Sequence, residues 1–161
     1  DILHADIYTT SDGRTLDTFV IQDTNGEPLS NVNDIKKISR SLIKALDSKK
    51  APVINITQQL PRRLKSFNSP STVSFTQDIL NHRTIMGVTS LDRPSLLYTL
   101  AKVLTDMKLI VTHAKISTLG ERVEDIFYLT NDHQQAIMEE NIMLDIKSRI
   151  IETLDGNESA A

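Results

Sequence analysis

Residues 3–9 read LHADIYT and residues 112–118 read THAKIST, so one chain writes His-Ala-x-Ile-x-Thr twice. Each copy continues through a turn into Asp-x-Phe and an alternating apolar run, SDGRTLDTFVIQD in the first and LGERVEDIFYLTN in the second. His4, Ala5, Ile7 and Thr9 stand a constant 109 residues before His113, Ala114, Ile116 and Thr118. Beyond the turn the spacing becomes 108, which pairs Asp17 with Asp125 and Phe19 with Phe127. A one-residue change confined to a turn is what a duplicated hairpin tolerates, because the loop lies outside the ladder and the buried face fixes register. The chain therefore holds two related units.

With 161 residues, two small units fit better than one large domain. A net charge of −3 gives no general attraction to nucleic acid or anionic membrane. Cysteine is absent, which excludes disulfides and thiol catalysis and suits a reducing cytoplasm. No apolar run reaches the roughly 18 residues that span a bilayer, and no signal peptide is present. The chain opens on Asp1 directly into strand-like alternation, as a piece of a longer protein would.

Residues 2–10 and 14–23 alternate with period two around Ser11-Asp12-Gly13, which predicts an antiparallel hairpin. Ser30 or Asn31 can cap a following helix, whose face is Val32, Ile35, Ile38, Leu42 and Leu46 and whose end lies near Ser48. Residues 49–81 carry Pro52, Pro61 and Pro70, and the basic residues Arg62, Arg63 and Lys65 read as a solvated face. This stretch is expected to be a linker with a short helix at 60–67 and a strand near 72–77. The second unit, 82–155, begins with a strand at 83–90, then LDRPS opens a helix with Leu96, Leu97, Leu100, Ala101, Leu104 and Met107 on one face. Strands at 109–119 and 122–131 follow, and a last helix is expected from about Gln134 to Leu154, with Met138, Ile142, Ile146 and Ile150 inward. Residues 156–161 read as a polar, frayed tail.

Strand, helix, strand, strand, helix is most of a βαββαβ unit, so the expected class is α+β: a ferredoxin-like antiparallel sheet with helices on one face. Residues 1–48 hold only the back half of a first copy. The strand at 72–77 can close the first unit or hairpin onto 83–90 and fill the empty slot of the second.

LDRPSLL lies where a strand passes into a helix, so backbone N–H groups and the helix dipole there can receive a carboxylate. Pro94 presets a first helical turn, and Asp92 can cap it or hold an ammonium group. A zwitterionic amino acid supplies both charges. An ordinary capped helix explains the same residues. His4 and His113 sit inside strands without a second ligand at metal-site spacing and are read as serving the fold or an interface. Asp17 and Asp125 are read as turn-stabilising carboxylates, and Glu121, Arg122 and Glu124 as exposed turn charges. No catalytic set and no metal motif is visible. Single-strand RNA binding needs exposed aromatics and basic flanks, which seven aromatics and an acidic balance do not supply.

LDRPSLLYTLAKVLTDMKL followed by HAKISTLGERVEDIFYLT resembles an ACT domain, specifically the last one of the bacterial family of PII uridylyltransferase/uridylyl-removing enzymes. HADIYTTSDGRTLDTFVIQD is similar to the back half of the preceding ACT domain, and PRRLKSF and VSFTQD resemble the segment between them. The resemblance implies a glutamine-sensing regulatory region, cytoplasmic and non-catalytic, in an enzyme that adds UMP to the signalling protein PII and removes it. Magnesium would serve catalytic domains outside this chain, and no cofactor is implied within it. Carried onto this sequence, the effector site is Leu91, Asp92, Arg93, Pro94, Ser95 and Leu96, with Ile110 and Val111 as an opposing wall. The family commonly has Gly where this chain has Ser95. ACT–ACT pairing, within or between chains, is the implied assembly, and a pairing module without its own ligand is the competing reading.

Overall fold

The computed structural model describes residues 1–10, 12–23, 25–48 and 70–155. The strands are β1 (Ile2–Thr9), β2 (Thr15–Ile21), β3 (Thr72–Asp78), β4 (Arg83–Leu91), β5 (Ile110–Leu119) and β6 (Arg122–Thr130). The helices are α1 (Val32–Asp47), α2 (Leu96–Asp106) and α3 (Glu140–Asp155). One six-stranded sheet runs in the order β2-β1-β5-β6-β4-β3, with every neighbouring pair antiparallel. The expected 60–67 helix and the polar tail lie outside the described residues.

β3 hairpins onto β4, Thr72 opposite Thr89 through Asp78 opposite Arg83. Of the two places open to it, the strand takes the empty slot of the second unit. Proximity decides this, since only the turn Ile79–Asn81, capped by the Asp78 side chain, and His82 separate the strands. The order β5-β6-β4-β3 is then that of a complete ferredoxin-like sheet whose closing strand precedes its first. Its core is a layer of Val73, Met86, Val88, Ala114, Ile116, Val123, Phe127 and Leu129 beneath stripes of Leu96, Leu100 and Leu104 on α2 and Ile146, Ile150 and Leu154 on α3. Both stripes recur every fourth residue, the spacing that keeps side chains on one helix face.

Two expectations about α3 fail. The helix begins at Glu140, not near Gln134, because the preceding backbone is bonded elsewhere. The Asn131 side chain accepts the His133 and Gln135 N–H groups, and Gln134 is left-handed at φ 59°. The Ile137 N–H donates to the buried Thr84 hydroxyl at 2.9 Å, and that hydroxyl lies 3.1 Å from the Ile137 carbonyl. Met138 and Ile142 consequently face outward, while Ile137, outside the helix, is buried.

The repeated sequence acquires a physical reason in the pairing of β1 with β5. His4 lies opposite Ser117, Ala5 opposite Ile116, Asp6 opposite Lys115, Ile7 opposite Ala114 and Tyr8 opposite His113. The two copies are thus related by a pseudo-twofold axis through Asp6 and Lys115. Ala faces Ile on both sides of the axis. The Thr9 hydroxyl donates to the Val111 carbonyl at 3.4 Å and the Thr118 hydroxyl to the Ile2 carbonyl at 3.0 Å, each the counterpart of the other. Even the strand irregularity is duplicated: register shifts between Ile2 and His4 in β1 and between Val111 and His113 in β5.

Burial is not duplicated. Phe127 is 5% exposed beneath α2 and α3, whereas its counterpart Phe19 is 43% exposed. Among the described residues the first copy has no counterpart of β4 and α2, so no layer covers its β2 edge, and no residue of α1 is buried. Asn31 caps α1, accepting the Asn33 N–H at 2.9 Å.

Candidate effector site

β4 ends at Leu91 and α2 starts at Leu96, leaving a four-residue connection at the edge of the core. The Asp92 N–H donates to the Glu121 carbonyl at 2.9 Å, which ties the loop to the β5–β6 turn. Leu91 and Leu96 are buried and hold its two ends. The N-cap is Ser95, not Asp92 as the sequence suggested: it is left-handed at φ 65° and makes no side-chain capping bond. A Cβ at such a φ is strained, and glycine is the residue that avoids the strain. α2 therefore begins without a side-chain acceptor for its first N–H groups, and its positive dipole end faces the loop.

Arg93 has a structural task. Its guanidinium donates to the Leu154 carbonyl at the end of α3, reaches the Ser90 hydroxyl at 3.4 Å and lies 3.9 Å from the Asp155 carboxylate. Asp155 also accepts the Ser71 hydroxyl at 2.7 Å. A cation at a helix C-terminus is favoured by the dipole, so Arg93 locks α3 to the loop.

Asp125, read from sequence as a turn residue, lies inside β6 and is 1% exposed. One carboxylate oxygen accepts the Ser117 N–H at 3.3 Å, and the other has no hydrogen-bond partner among the described residues. Burial pushes its carboxyl up to about 7, the Ser117 N–H opposes that, and the nearby Asp92 charge adds to it. Asp92 is itself raised by burial, against the lowering effect of the Arg93 N–H. The signal for Asp125 was in the alternation: Val123, Asp125, Phe127 and Leu129 share one face, and three of the four are core apolar residues.

Ile110 and Val111 do not adjoin this loop. They pair with Thr130 and Leu129, while Leu91 pairs with Arg122 at the other end of β6, about 25 Å away at strand rise. The residues brought to this end by the pseudo-twofold are their counterparts in the first copy, Asp1 and Ile2. The Ile2 carbonyl accepts the Thr118 hydroxyl next to the β5–β6 turn. The strand that reaches this end of β5 is therefore β1 of the first copy.

His113 lies between Tyr8 and Tyr128, with ring centroids 6.0 and 5.1 Å away, at the junction of the copies. His4 is exposed and lies 3.0 Å from Asp6. Among the described residues no group of three or more His, Asp or Glu side chains could hold a metal ion, and no helix is long and apolar enough to cross a membrane. A cavity of about 550 Å³ lined by Gln77, His82 and Gln134 opens at the β3–β4 turn, away from the carboxylates.

Residues 79–156 match the family described as the ACR family N-terminal ACT domain. This segment is an ACT domain. It runs from the turn after β3 through α3, with the loop carrying Asp92 at its first strand-to-helix junction. Over 155 residues, 96% of the chain, the sequence is 35% identical to a bifunctional uridylyltransferase/uridylyl-removing enzyme of Idiomarina loihiensis. It is 36% identical over the same length to the enzyme so named in Stutzerimonas stutzeri, and 32% identical over 99% of the chain to that of Pseudomonas putida. The chain spans only 17–18% of the length of these relatives. No solved structure matches it.

Proposed function

We propose that this chain is the amino-acid-sensing regulatory region of a bifunctional enzyme that uridylylates and deuridylylates PII, and that its effector is L-glutamine. The observation that carries the amino-acid reading is the pair Asp92 and Asp125 beside the uncapped start of α2: two carboxylates short of positive charge adjoin N–H groups short of an acceptor. An α-ammonium answers the first and an α-carboxylate the second. The choice of glutamine rests on the resemblance to the uridylyltransferase relatives. The region contributes no catalytic residue. Nucleotidyl transfer and hydrolysis, with magnesium, belong to other domains of a cytoplasmic parent enzyme whose protein substrate is PII.

Binding would act through the junction of the copies. The loop belongs to the second copy and the strand that reaches this end of β5 to the first, so a ligand between them favours one arrangement of the two. Calorimetric titration of L-glutamine, with glutamate and asparagine as controls, tests the reading in the whole enzyme and in this chain. Selective binding weakened by Asp92→Ala supports it; selective binding indifferent to Asp92→Ala and Asp125→Asn places the effector elsewhere. The reciprocal Thr9 and Thr118 bonds favour one second reading, a pairing module without a ligand, to which absence of binding by the folded protein would point.

A further inference from the structure

We infer that Asp6 and Lys115 form the specificity pair of the ACT–ACT junction, directing the β5 edge to the unlike copy, β1, and away from β5 of a second molecule. The pseudo-twofold is what makes a choice of partner necessary. Because the copies are related by 109 residues and pair antiparallel about Asp6 and Lys115, either strand could pair with itself in the same register.

Three junctions are then sterically equivalent. In β1 against β5, Ala5 faces Ile116 and Ile7 faces Ala114. A β5–β5 junction would set Ala114 against Ile116 twice, and a β1–β1 junction Ala5 against Ile7 twice. The core-facing contacts are Ala against Ile in all three, so the hydrophobic face does not choose. The outer positions carry His4 and Ser117 on one side and Tyr8 and His113 on the other. Self-pairing only reshuffles these His, Ser and Tyr residues, none of which carries a carboxylate.

The axial position is different, since only there does a self-paired strand set a residue against itself. A β5–β5 junction sets Lys115 against Lys115, and a β1–β1 junction sets Asp6 against Asp6. The observed junction sets Asp6 against Lys115. Directly opposed residues on adjacent strands have Cβ atoms about 5 Å apart, where opposite charges attract and like charges repel. Lys115 is exposed and Asp6 half-buried beside His4, so the pair acts in partial contact with water and sets preference more than stability. Duplication supplies the same strand twice, and one charge difference on the axis makes the two copies prefer each other.

The test uses the whole chain with Asp6→Lys, Lys115→Asp and the double reversal. In urea unfolding the double variant should recover most of what each single variant loses, a coupling of about fivefold in the unfolding constant, and the His4–Asp6 contact cancels in the cycle. Each single variant carries a like pair in every junction it can make alone. An equimolar mixture of the two restores opposite pairs in trans, so sedimentation velocity should show association about tenfold tighter than for either alone or for the unaltered chain. Additive losses in the cycle, or a mixture that associates no better than its components, would overturn the inference. If charge reversal prevents folding, Asp6→Asn, Lys115→Gln and their combination give the same cycle, and strictly additive losses there overturn it equally.

Discussion

Replacing Asp125 by Asn removes a single ionisable group from beneath the Leu91–Leu96 loop, and the structure sets both the sign and the size of the effect on stability. The folded carboxyl keeps its proton up to about pH 7, while in the unfolded chain it titrates near 3.8. Between those values the folded state binds the extra proton, so stability falls as pH rises, by about 1.4 kcal/mol per unit, and levels off above pH 7. The full penalty approaches ~4 kcal/mol. Asn keeps the acceptor for the Ser117 N–H but places an amide NH₂ where the other oxygen has no partner, at a cost of about 1–3 kcal/mol. Asp125→Asn should therefore be near neutral at pH 5 and stabilising by roughly 1–3 kcal/mol at pH 8. Urea unfolding of both proteins at pH 5, 6, 7 and 8 reads the difference directly, because every other group is common to the two and cancels. A gap between the two proteins that stays constant from pH 5 to pH 8 would refute the reasoning, since it would mean that Asp125 is ionised throughout.

Ser95→Gly should stabilise the chain by about 0.5–1 kcal/mol in urea unfolding, because relief of the left-handed strain at φ 65° outweighs the greater backbone freedom of glycine and no capping bond is lost. Thr84→Val should cost about 2–4 kcal/mol by the same assay, since its buried hydroxyl serves Gln77 and both backbone groups of Ile137; Thr84→Ser should keep most of this. Leu100→Ala, at a fully buried position on α2, should cost about 2–5 kcal/mol and lower the thermal midpoint by several degrees. Arg93→Ala should loosen the end of α3, seen as faster amide exchange over 150–155, while leaving any glutamine affinity nearly unchanged, because its guanidinium is committed to Leu154, Ser90 and Asp155.

The repeat made the most visible features legible. His-Ala-x-Ile-x-Thr written twice predicted two hairpins, and the period-two alternation placed their strands. The α2 stripe of Leu96, Leu100 and Leu104 was equally plain. The features that stayed hidden depended on contacts distant in sequence. Thr84 is 53 residues from Ile137, and nothing local to residues 134–139 shows that the backbone there is held by it in place of a helical turn. The sheet partner of 72–78 was undetermined because a closing strand pairs antiparallel in either unit, and only the short β3–β4 turn settled it. That Ile110 and Val111 lie at the opposite end of the sheet from the Leu91–Leu96 loop follows only from strand register, and so does the approach of the counterpart residue Ile2 to the β5–β6 turn through the Thr118 hydroxyl. Asp125 was obscured by its residue type: a carboxylate on an apolar face looks like a turn residue until the strand is seen to run through it.

The position of β3 also bears on how the chain acquires its structure. In the ACT domain the closing strand precedes the first strand, so β3 and β4 meet across a turn of a few residues, whereas β1 reaches β5 only after about a hundred intervening residues. Loop closure across so long a span is entropically disfavoured until the far edge exists, and local pairings form faster. Refolding followed by pulse-labelled amide exchange should thus protect β4 early and β1 late, and during synthesis the first copy's β1–β2 hairpin would wait for β5 to emerge before its inner edge is paired.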